Sequence, residues 1–322
     1  MLGSNPRFVD GNHLSHHYLD RDCFYLQPSP EKLRLKDDVK RALWLAASSP
    51  IKILTYLVLL IATIWVLIPF VWALQNSIKS LPDTFNPSAI IPFVNYIPSL
   101  ASWNKILSDP GAIHALLSSV IVSSGATLLV LLIGTPAAYG LAQFEFPIKS
   151  KNLNFWFFSQ RVMPPVVLLA PFFILLVQLR LVDTWMGLIL IYTTFNLSFG
   201  IVILRDIFRE IGRDISDAAK VDGANTWQIF WLIAIPLCLE GLTATGIIIF
   251  SFCWNEALFA AALAPDHAAT LATFILASRG TQGVNFSIAA VNTLIAIMPP
   301  VLMSLFVHRY LAGGLTFGAV KG

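Results

Sequence analysis

One polar stretch inside a very apolar chain decides how the rest is interpreted: DISDAAKVDGANTWQIFWLIAIP, residues 214–236. Three carboxylates and one lysine fall within the nine residues from Asp214 to Asp222. Charged side chains are costly in hydrocarbon, so this stretch is expected to lie outside the membrane, between the apolar runs that flank it. It is therefore a candidate docking surface for a soluble partner.

The stretch predicts two short helices that meet at a glycine. Asp214 is a candidate N-cap of the first helix, with Asp217 as its capping-box partner. Gly223 suits the left-handed residue that ends a helix. Asn225 followed by Gln228 predicts the capping box of the second helix.

The second helix has an aromatic side formed by Trp227, Phe230 and Trp231. Pro236 is expected to end this helix at the membrane edge and to join it directly to the next apolar run. An ordinary amphipathic surface loop remains an alternative interpretation of the pattern.

The spacing Asp-Ala-Ala, three residues, Gly, nine residues, Ile-x-Ile-Pro resembles the EAA loop of ABC-importer permeases. The positions that match are Asp217, Ala218, Ala219, Gly223, Ile233 and Pro236. Asp217 stands where the family usually has Glu, and Ile235 where it usually has Leu. The resemblance implies that residues 206–236 couple to a separate ATPase. Asp217 would then pair with a basic residue of that partner, the two alanines would allow close seating, and Gly223, with Asp222 beside it, would set the bend.

The composition is that of a polytopic membrane protein. The chain has 322 residues, of which 56% are hydrophobic and 12% charged, and its mean hydropathy is +0.72. Soluble domains carry about 25% charged residues. The net charge of +3 is too small to indicate nucleic-acid binding. We therefore predict an all-α fold in the inner or plasma membrane of a prokaryote.

Six apolar runs are long enough to cross a bilayer, which takes about 20 residues. They predict a six-helix permease domain over residues 51–310, between a polar cytoplasmic segment at residues 1–50 and a cytoplasmic tail at 311–322. An interfacial helix is expected to begin within residues 37–41. The predicted spans are residues 53–74, 116–141, 155–179, 185–204, 237–262 and 286–310.

The distribution of lysine and arginine predicts the orientation. With both termini in the cytoplasm, sixteen of these residues lie on the cytoplasmic side and four outside. Cytoplasmic loops are enriched in Lys and Arg, so this orientation is strongly favoured. It places residues 206–236 in the cytoplasm, where an ATPase can reach them.

Polar groups inside the predicted spans mark a candidate translocation path. Arg161 precedes Pro164-Pro165, which should interrupt the third span and free backbone carbonyls. Snorkelling of Arg161 to the headgroups is the alternative. The fifth span carries Trp254, Asn255 and Glu256, a triplet that also resembles sugar-type permeases. A second break is expected at Pro299-Pro300, in the sixth span. The fourth span carries a polar patch that is expected to have a structural role: Tyr192, Thr193, Thr194 and Asn196.

Two further segments carry a family resemblance. The outer loop 79–112 resembles the same loop in sugar-importer permeases at Thr84-Phe85-Asn86-Pro87, Asn95-Tyr96 and Ser102-Trp103-Asn104. Two roles for this loop are left open by the sequence, a packed cap on the helix bundle and a contact surface for a binding protein. The C-terminus resembles the ending of maltose-type permeases, which implies contact with the ATPase through Gly314, Leu315, Thr316, Gly318 and Lys321.

These features together are typical of the permease subunit of a carbohydrate ABC importer of type I architecture. The chain has no Gly-x-x-x-x-Gly-Lys-Ser/Thr phosphate loop, so ATP and Mg are expected on partner subunits and no catalytic or metal site is predicted here. The resemblance implies an ATPase homodimer, a second homologous permease and an extracytoplasmic binding protein as partners. An ion-coupled secondary transporter and a membrane enzyme are the alternatives, and the sequence does not select among disaccharide, polyol and glycerophosphate as substrate.

Overall fold

The computed structural model describes residues 30–144, 150–278 and 285–314. The described residues form helices joined by short connections, with a single isolated β-bridge between Pro92 and Tyr96. Contacts divide the chain into two units, residues 1–68 and 69–322. The helices are α1 (Pro30–Ser77), α2 (Leu81–Thr84), α3 (Ala101–Leu107), α4 (Pro110–Gln143), α5 (Ser150–Val162), α6 (Pro165–Leu179), α7 (Trp185–Glu210), α8 (Arg213–Val221), α9 (Thr226–Leu237), α10 (Leu239–Trp254), α11 (Leu258–Leu263), α12 (Leu271–Ser278) and α13 (Phe286–Gly314).

The described residues contain four candidate membrane spans, or six if each of two bent helix pairs is counted as one span, and the sequence predicts six. Four are single helices long and apolar enough to cross a bilayer: Lys52–Ser77, Pro110–Gln143, Trp185–Glu210 and Phe286–Leu305. Two more are bent pairs of helices. Phe155–Val162 and Pro165–Leu179 meet at 88°, and Thr226–Leu237 and Leu239–Trp254 meet at 74°.

Helices α4 and α7 form the centre of the second unit because small residues let their backbones approach closely. A Cβ atom placed at Gly200 of α7 would lie 2.7 Å from a Val130 methyl of α4, and one at Gly125 of α4 would lie 2.8 Å from Ile189 of α7. Small residues at helix interfaces are how membrane helices gain van der Waals contact. Further small residues are buried along α4: Ser118, Ser119, Ser123, Ala126 and Ala138.

The first predicted span belongs to a longer helix. Helix α1 begins at Pro30 and continues without interruption to Ser77. The helix predicted to begin within residues 37–41 and the first predicted span are therefore one helix, and it crosses the predicted boundary at residue 50.

The third span is interrupted where the sequence predicts. Helix α5 ends at Val162, Pro164 occupies the N-cap position of α6, and Pro165 is the first residue of α6. Proline has no N–H for the preceding turn and disfavours a helical conformation in the residue before it, so two consecutive prolines end α5.

The prediction of one uninterrupted fifth span over residues 237–262 is wrong. Helix α10 ends at Trp254, and α11 starts only at Leu258. The Glu256 carboxylate accepts hydrogen bonds from the backbone N–H groups of Leu258, Phe259 and Ala260 at 2.9–3.3 Å. These are the N–H groups that a new helix leaves without partners, so Glu256 begins a second helix instead of continuing the first.

The predicted break at Pro299-Pro300 is also wrong, because α13 continues through both prolines. Pro300 cannot donate to the carbonyl of Ala296, four residues earlier. The Trp254 indole donates to that carbonyl instead, at 2.8 Å. A side chain from α10 thus satisfies the group that proline frees, which is how membrane helices tolerate proline.

Candidate functional site

The candidate site has two parts, the first being the motif loop, residues 213–237, made of α8, the turn at Gly223 and α9. Gly223 has φ +85°. Its N–H donates to the Lys220 carbonyl at 3.0 Å, and the Ala224 N–H donates to the Ala219 carbonyl at 2.9 Å. This pair of bonds is the Schellman motif, which needs a left-handed residue at the position of Gly223. The predicted glycine bend is confirmed.

The start of α9 is capped as predicted. The Asn225 side chain accepts from the Gln228 N–H at 2.9 Å, and the Gln228 side chain accepts from the Asn225 N–H at 2.8 Å. The two residues satisfy each other's backbone donors, which is the capping box. The relative orientation of α8 and α9 is therefore determined by hydrogen bonds within a few residues of the turn.

The predicted cap of α8 is wrong. Gly212, with φ +77°, occupies the N-cap position, and Asp214 lies in the first turn without a capping hydrogen bond. The Asp217 carboxylate pairs with the Lys220 ammonium at 2.8 Å instead of capping the helix. Asp214 still lies at the positive end of the helix dipole, where a carboxylate is favourable.

The exposed face of α8 is smaller than the sequence suggests. Asp217 and Ala218 are exposed, whereas Ala219 is only 9% exposed and packs inward. Of the two alanines predicted to seat a partner, only Ala218 is therefore available on the surface. The exposed Asp217–Lys220 pair contributes little to stability, so either group can exchange it for a partner charge.

An aromatic cluster attaches the motif loop to the membrane helices. The Tyr139 ring of α4 lies 5.5 Å from the Phe208 ring of α7 and 5.0 Å from the Phe230 ring of α9, between ring centroids. All three side chains are buried, with Ala219 and Ile229 in the same apolar cluster. The sequence did not indicate Tyr139 or Phe208, because aromatic residues near helix ends are common in membrane proteins. This cluster is the buried contact between the motif loop and helices α4 and α7.

The joint between the motif loop and α10 differs from the predicted one. Helix α9 continues through exposed Pro236 to Leu237, and the 74° bend lies at Cys238. Before the bend, Phe230–Ala234 form a π-helical turn that includes half-buried Ile233. Short π-helical segments often mark functional sites. The loop and α10 are thus joined at Cys238 and not at Pro236.

The second part of the site is the arginine cage at the end of α5. The Arg161 guanidinium donates to the Asn196 side-chain oxygen at 3.0 Å. Its central carbon lies 4.7 Å from the ring centroids of Phe195 and Phe252 and 5.5 Å from that of Phe199. Aromatic faces stabilise a cation that is partly removed from water. Arg161 therefore points into the bundle rather than snorkelling to the headgroups.

The cage joins the interrupted third span to the middle of α7. Asn196 belongs to the polar patch for which the sequence predicts a structural role. Its amide N–H donates to the Tyr192 carbonyl at 2.8 Å, and its side-chain oxygen accepts from Arg161. Two residues farther along α7, the Ser198 hydroxyl donates to the Gln160 side-chain oxygen at 2.7 Å. In the described part of the chain, no carboxylate lies within 4 Å of Arg161. Among the described residues, an amide oxygen and aromatic faces stabilise the guanidinium, and no carboxylate does so.

The predicted triplet on the fifth span lies at the break between α10 and α11. Trp254 is buried and donates to Ala296, and the Glu256 carboxylate caps α11. Asn255 is exposed, and its amide donates to the Ser251 carbonyl at 2.9 Å. Trp254 and Glu256 thus have structural partners, which leaves Asn255 as the exposed member of the triplet.

The predicted tail contact lies almost wholly beyond the part of the chain that the structure describes. Gly314 is the last residue of α13. Leu315, Thr316, Gly318 and Lys321 lie outside the described residues.

Comparison with known proteins assigns the chain to a family. Residues 131–316 match the family described as "Binding-protein-dependent transport system inner membrane component". The trehalose transport system permease protein SugB of Mycobacterium tuberculosis is 32% identical over 265 residues, which cover 80% of this chain and 93% of the relative. The trehalose/maltose transport system permease protein MalG of Thermococcus litoralis is 30% identical over 262 residues, which cover 80% and 92%.

A solved structure shares the fold. A bacterial ABC transporter involved in the import of the acidic polysaccharide alginate includes a chain with TM-score 0.63 and 18% identity, and the match covers 82% of this chain and 97% of that one. The residues that match the family include both the motif loop and Arg161. The chain is a multi-pass membrane protein that belongs to the family of inner membrane components of binding-protein-dependent transport systems, the permeases of ABC importers.

Proposed function

We propose that this chain is one of two related permease subunits of a carbohydrate importer in the inner or plasma membrane of a prokaryote. A homodimer of separate ATPase subunits, which bind ATP and Mg, would dock on the motif loop. An extracytoplasmic binding protein would deliver the substrate. The observation that carries the proposal is the motif loop itself, a preformed and exposed two-helix element whose buried side contacts two membrane helices.

The exposed side of the loop suits a cleft in a soluble partner. Asp217, Ala218 and Lys220 lie on the outer side of α8, and Trp227 on α9 is 67% exposed. Large exposed apolar side chains next to charged groups are typical of interaction surfaces. Asp217 would exchange Lys220 for a basic residue of the ATPase, and Asp222 and Gly223 would keep the bend that shapes the surface.

Transport would follow from movement of this loop. When the ATPase subunits close on ATP, the loop would move with them and push Phe230 against Tyr139, whose ring packs on Phe208. These rings belong to α4 and α7, the most closely packed helices of the unit, so the displacement reaches the bundle centre. Packed interfaces shift between discrete arrangements, so the bundle would alternate between outward-open and inward-open states.

The arginine cage would line the translocation path. Arg161 lies where α5, α7 and α10 meet. Pro164 and Pro165, which interrupt the third span, follow it in the sequence. Its contact with Asn196 is a neutral hydrogen bond, which costs less to break than a buried ion pair. The cage would therefore open and close as α5 moves against α7. Asn255 is the exposed candidate farther along the path.

A carbohydrate substrate is supported by the relatives. The two permeases named above belong to transport systems for trehalose and for trehalose/maltose, and the transporter of known structure is involved in the import of the polysaccharide alginate. We propose a di- or oligosaccharide or a polyol, with the choice among them made by the binding protein.

Purification from the native membrane tests this proposal. The permease is expected to co-purify with ATPase subunits, and proteoliposomes of the complex should take up labelled sugar only with ATP and the binding protein. Uptake driven by an ion gradient without ATP would contradict the proposal and favour a secondary transporter.

A further inference from the structure

A cleft of about 370 Å³ opens between the end of α1, the loop after α2 and the start of α13. All of its lining residues belong to the second unit. The Phe85 ring of the loop contacts the Phe286 ring of α13 at 5.8 Å, which closes one side. The lining comprises Trp72, Gln75, Asn76, Lys79, Thr84, Asn86, Pro87, Ala89, Ile90 and Phe286.

Lys79 is the cation of this cleft and has no negative partner in the described part of the chain. Its ammonium lies 5.3 Å from the Tyr96 ring centroid, and no carboxylate lies within 4 Å of it. The Asp83 carboxylate accepts from the Ser80 hydroxyl at 2.5 Å. Burial first, and the Asp83 charge second, raise the pKa of Tyr96, so its hydroxyl stays neutral and does not balance the lysine.

Two side-chain amides of the cleft can donate hydrogen bonds to an anion. The Asn86 side-chain oxygen already accepts from the Ser88 N–H at 3.0 Å, which leaves its amide N–H groups as donors. Gln75 adds a second amide. The whole stretch from Thr84 to Asn104 carries no charged residue, so nothing in it competes for Lys79. An ammonium flanked by amide donors is complementary to a carboxylate.

The rim beside the cleft has the composition of a protein interface. Phe93, Val94 and Ile97 are 75–85% exposed at the tip of the loop. Phe93 is left-handed, with φ 64°, and its N–H donates to the Tyr96 carbonyl at 2.9 Å. The Asn95 side chain accepts from the Ile91 N–H at 3.1 Å and holds the tip in shape. A strained and fixed loop with aromatic anchors is typical of recognition surfaces.

We propose that this cleft receives a carboxylate side chain of the extracytoplasmic binding protein, with Lys79 as its anchor and the Phe93 loop as the apolar rim. The inference rests on the proposed function, which supplies both the outer location of the loop and the existence of the binding protein. A lipid phosphate is the competing source of an anion.

The test is a titration of the reconstituted permease–ATPase complex with its cognate binding protein, using ATP hydrolysis as the readout. Lys79→Glu is expected to raise the half-saturating concentration about tenfold and Lys79→Gln about threefold, because a lost interfacial charge pair weakens docking and a like charge repels. Lys105→Glu on α3 is the matched control, since Lys105 is exposed and lies outside the cleft. It should change the half-saturating concentration less than about twofold and leave the unstimulated rate unchanged.

Retention of the ATPase subunits during purification shows that each Lys79 variant is assembled. If assembled Lys79→Glu titrates like the wild type, or no differently from Lys105→Glu, the docking inference is overturned while the proposed function stands. A Lys79 effect seen only when anionic lipid is varied, at an unchanged binding-protein titration, also overturns it in favour of a lipid. A wild-type complex that no binding protein stimulates overturns the proposed function itself.

Discussion

The motif loop and the arginine cage are held by interactions of very different range. Every capping bond of the loop joins residues at most five positions apart, such as Ala224 to Ala219. The cage joins Arg161 to Asn196, 35 positions away. The shape of the loop is therefore set by its own residues, whereas the cage depends on how two helices pack against each other. This difference suggests a rigid input element and a rearranging output element.

The largest effect is expected from Gly223→Pro in the motif loop. Proline requires φ near −65° and has no N–H, whereas Gly223 has φ +85° and donates to Lys220. We expect ATP-driven uptake to fall to less than about a tenth of the wild-type rate, with the protein still in the membrane. Uptake into proteoliposomes measures the transport rate, and the amount of the variant in the cell membrane shows whether it is still inserted.

Gly223→Asn is the matched control for this variant, because asparagine tolerates the left-handed conformation and keeps the N–H. It should retain at least about half of the uptake. Normal transport by Gly223→Pro would show that the rigid bend is not needed.

The cage is tested by Asn196→Asp. A carboxylate at this position would turn a neutral contact at 3.0 Å into an ion pair with Arg161. Separating a buried ion pair leaves an uncompensated charge, so the pair should hold α5 against α7 through the cycle. We expect uptake to fall about tenfold, at an unchanged or raised Tm, because a barrier increase of about 1.4 kcal/mol corresponds to a factor of ten.

Ser198→Ala provides the comparison for the cage variant, because it removes the neighbouring bond to Gln160 and leaves Arg161 in place. It should lower uptake less than about twofold. Wild-type uptake by Asn196→Asp would indicate that the cage stays closed throughout transport.

A smaller effect is expected at Asp183, a second long-range contact, in the turn between α6 and α7. Its carboxylate accepts from the N–H groups of Asp266, His267 and Ala268 at 2.9–3.2 Å. Burial alone would raise the pKa of Asp183, but these bonds and the nearby His267 together lower it below its usual range. A lowered folded-state pKa stabilises the protein above about pH 4 and loses this contribution as pH falls through the folded value.

Asp183→Asn should lower stability at pH 7 by about 1 kcal/mol, or roughly 2–4 °C in Tm. The difference from the wild type should shrink as pH approaches 3. Asp266→Asn, whose side chain accepts none of these bonds, is the control and should follow the wild-type pH dependence. A constant difference between Asp183→Asn and wild type across this pH range would refute the assignment.

The parts of the fold that were predictable depend on local chemistry. Six apolar runs, a glycine at the bend, the Asn225–Gln228 capping box and the Pro164-Pro165 interruption each follow from a few consecutive residues. Capping and proline geometry act over one helical turn, so the neighbouring residues carry the whole signal.

Three of the wrong predictions involve a distant partner or a competing local one. Helix α13 stays intact at Pro299-Pro300 although Pro300 frees a carbonyl, because Trp254 from another helix donates to it. The fifth span ends early because Glu256 caps α11. Asp214 does not cap α8 because Gly212, in a conformation that suits glycine, begins the helix two residues earlier.

The membrane class and the position and bend of the motif loop could be predicted from neighbouring residues alone. The inward packing of Ala219, the Arg161–Asn196 hydrogen bond and the position of the Tyr139 ring between Phe208 and Phe230 became visible only in the folded chain. The physical reason is that hydrophobicity and capping are properties of neighbouring residues. The neutralisation of a buried charge and the packing of rings depend on side chains that the chain brings together only when it folds.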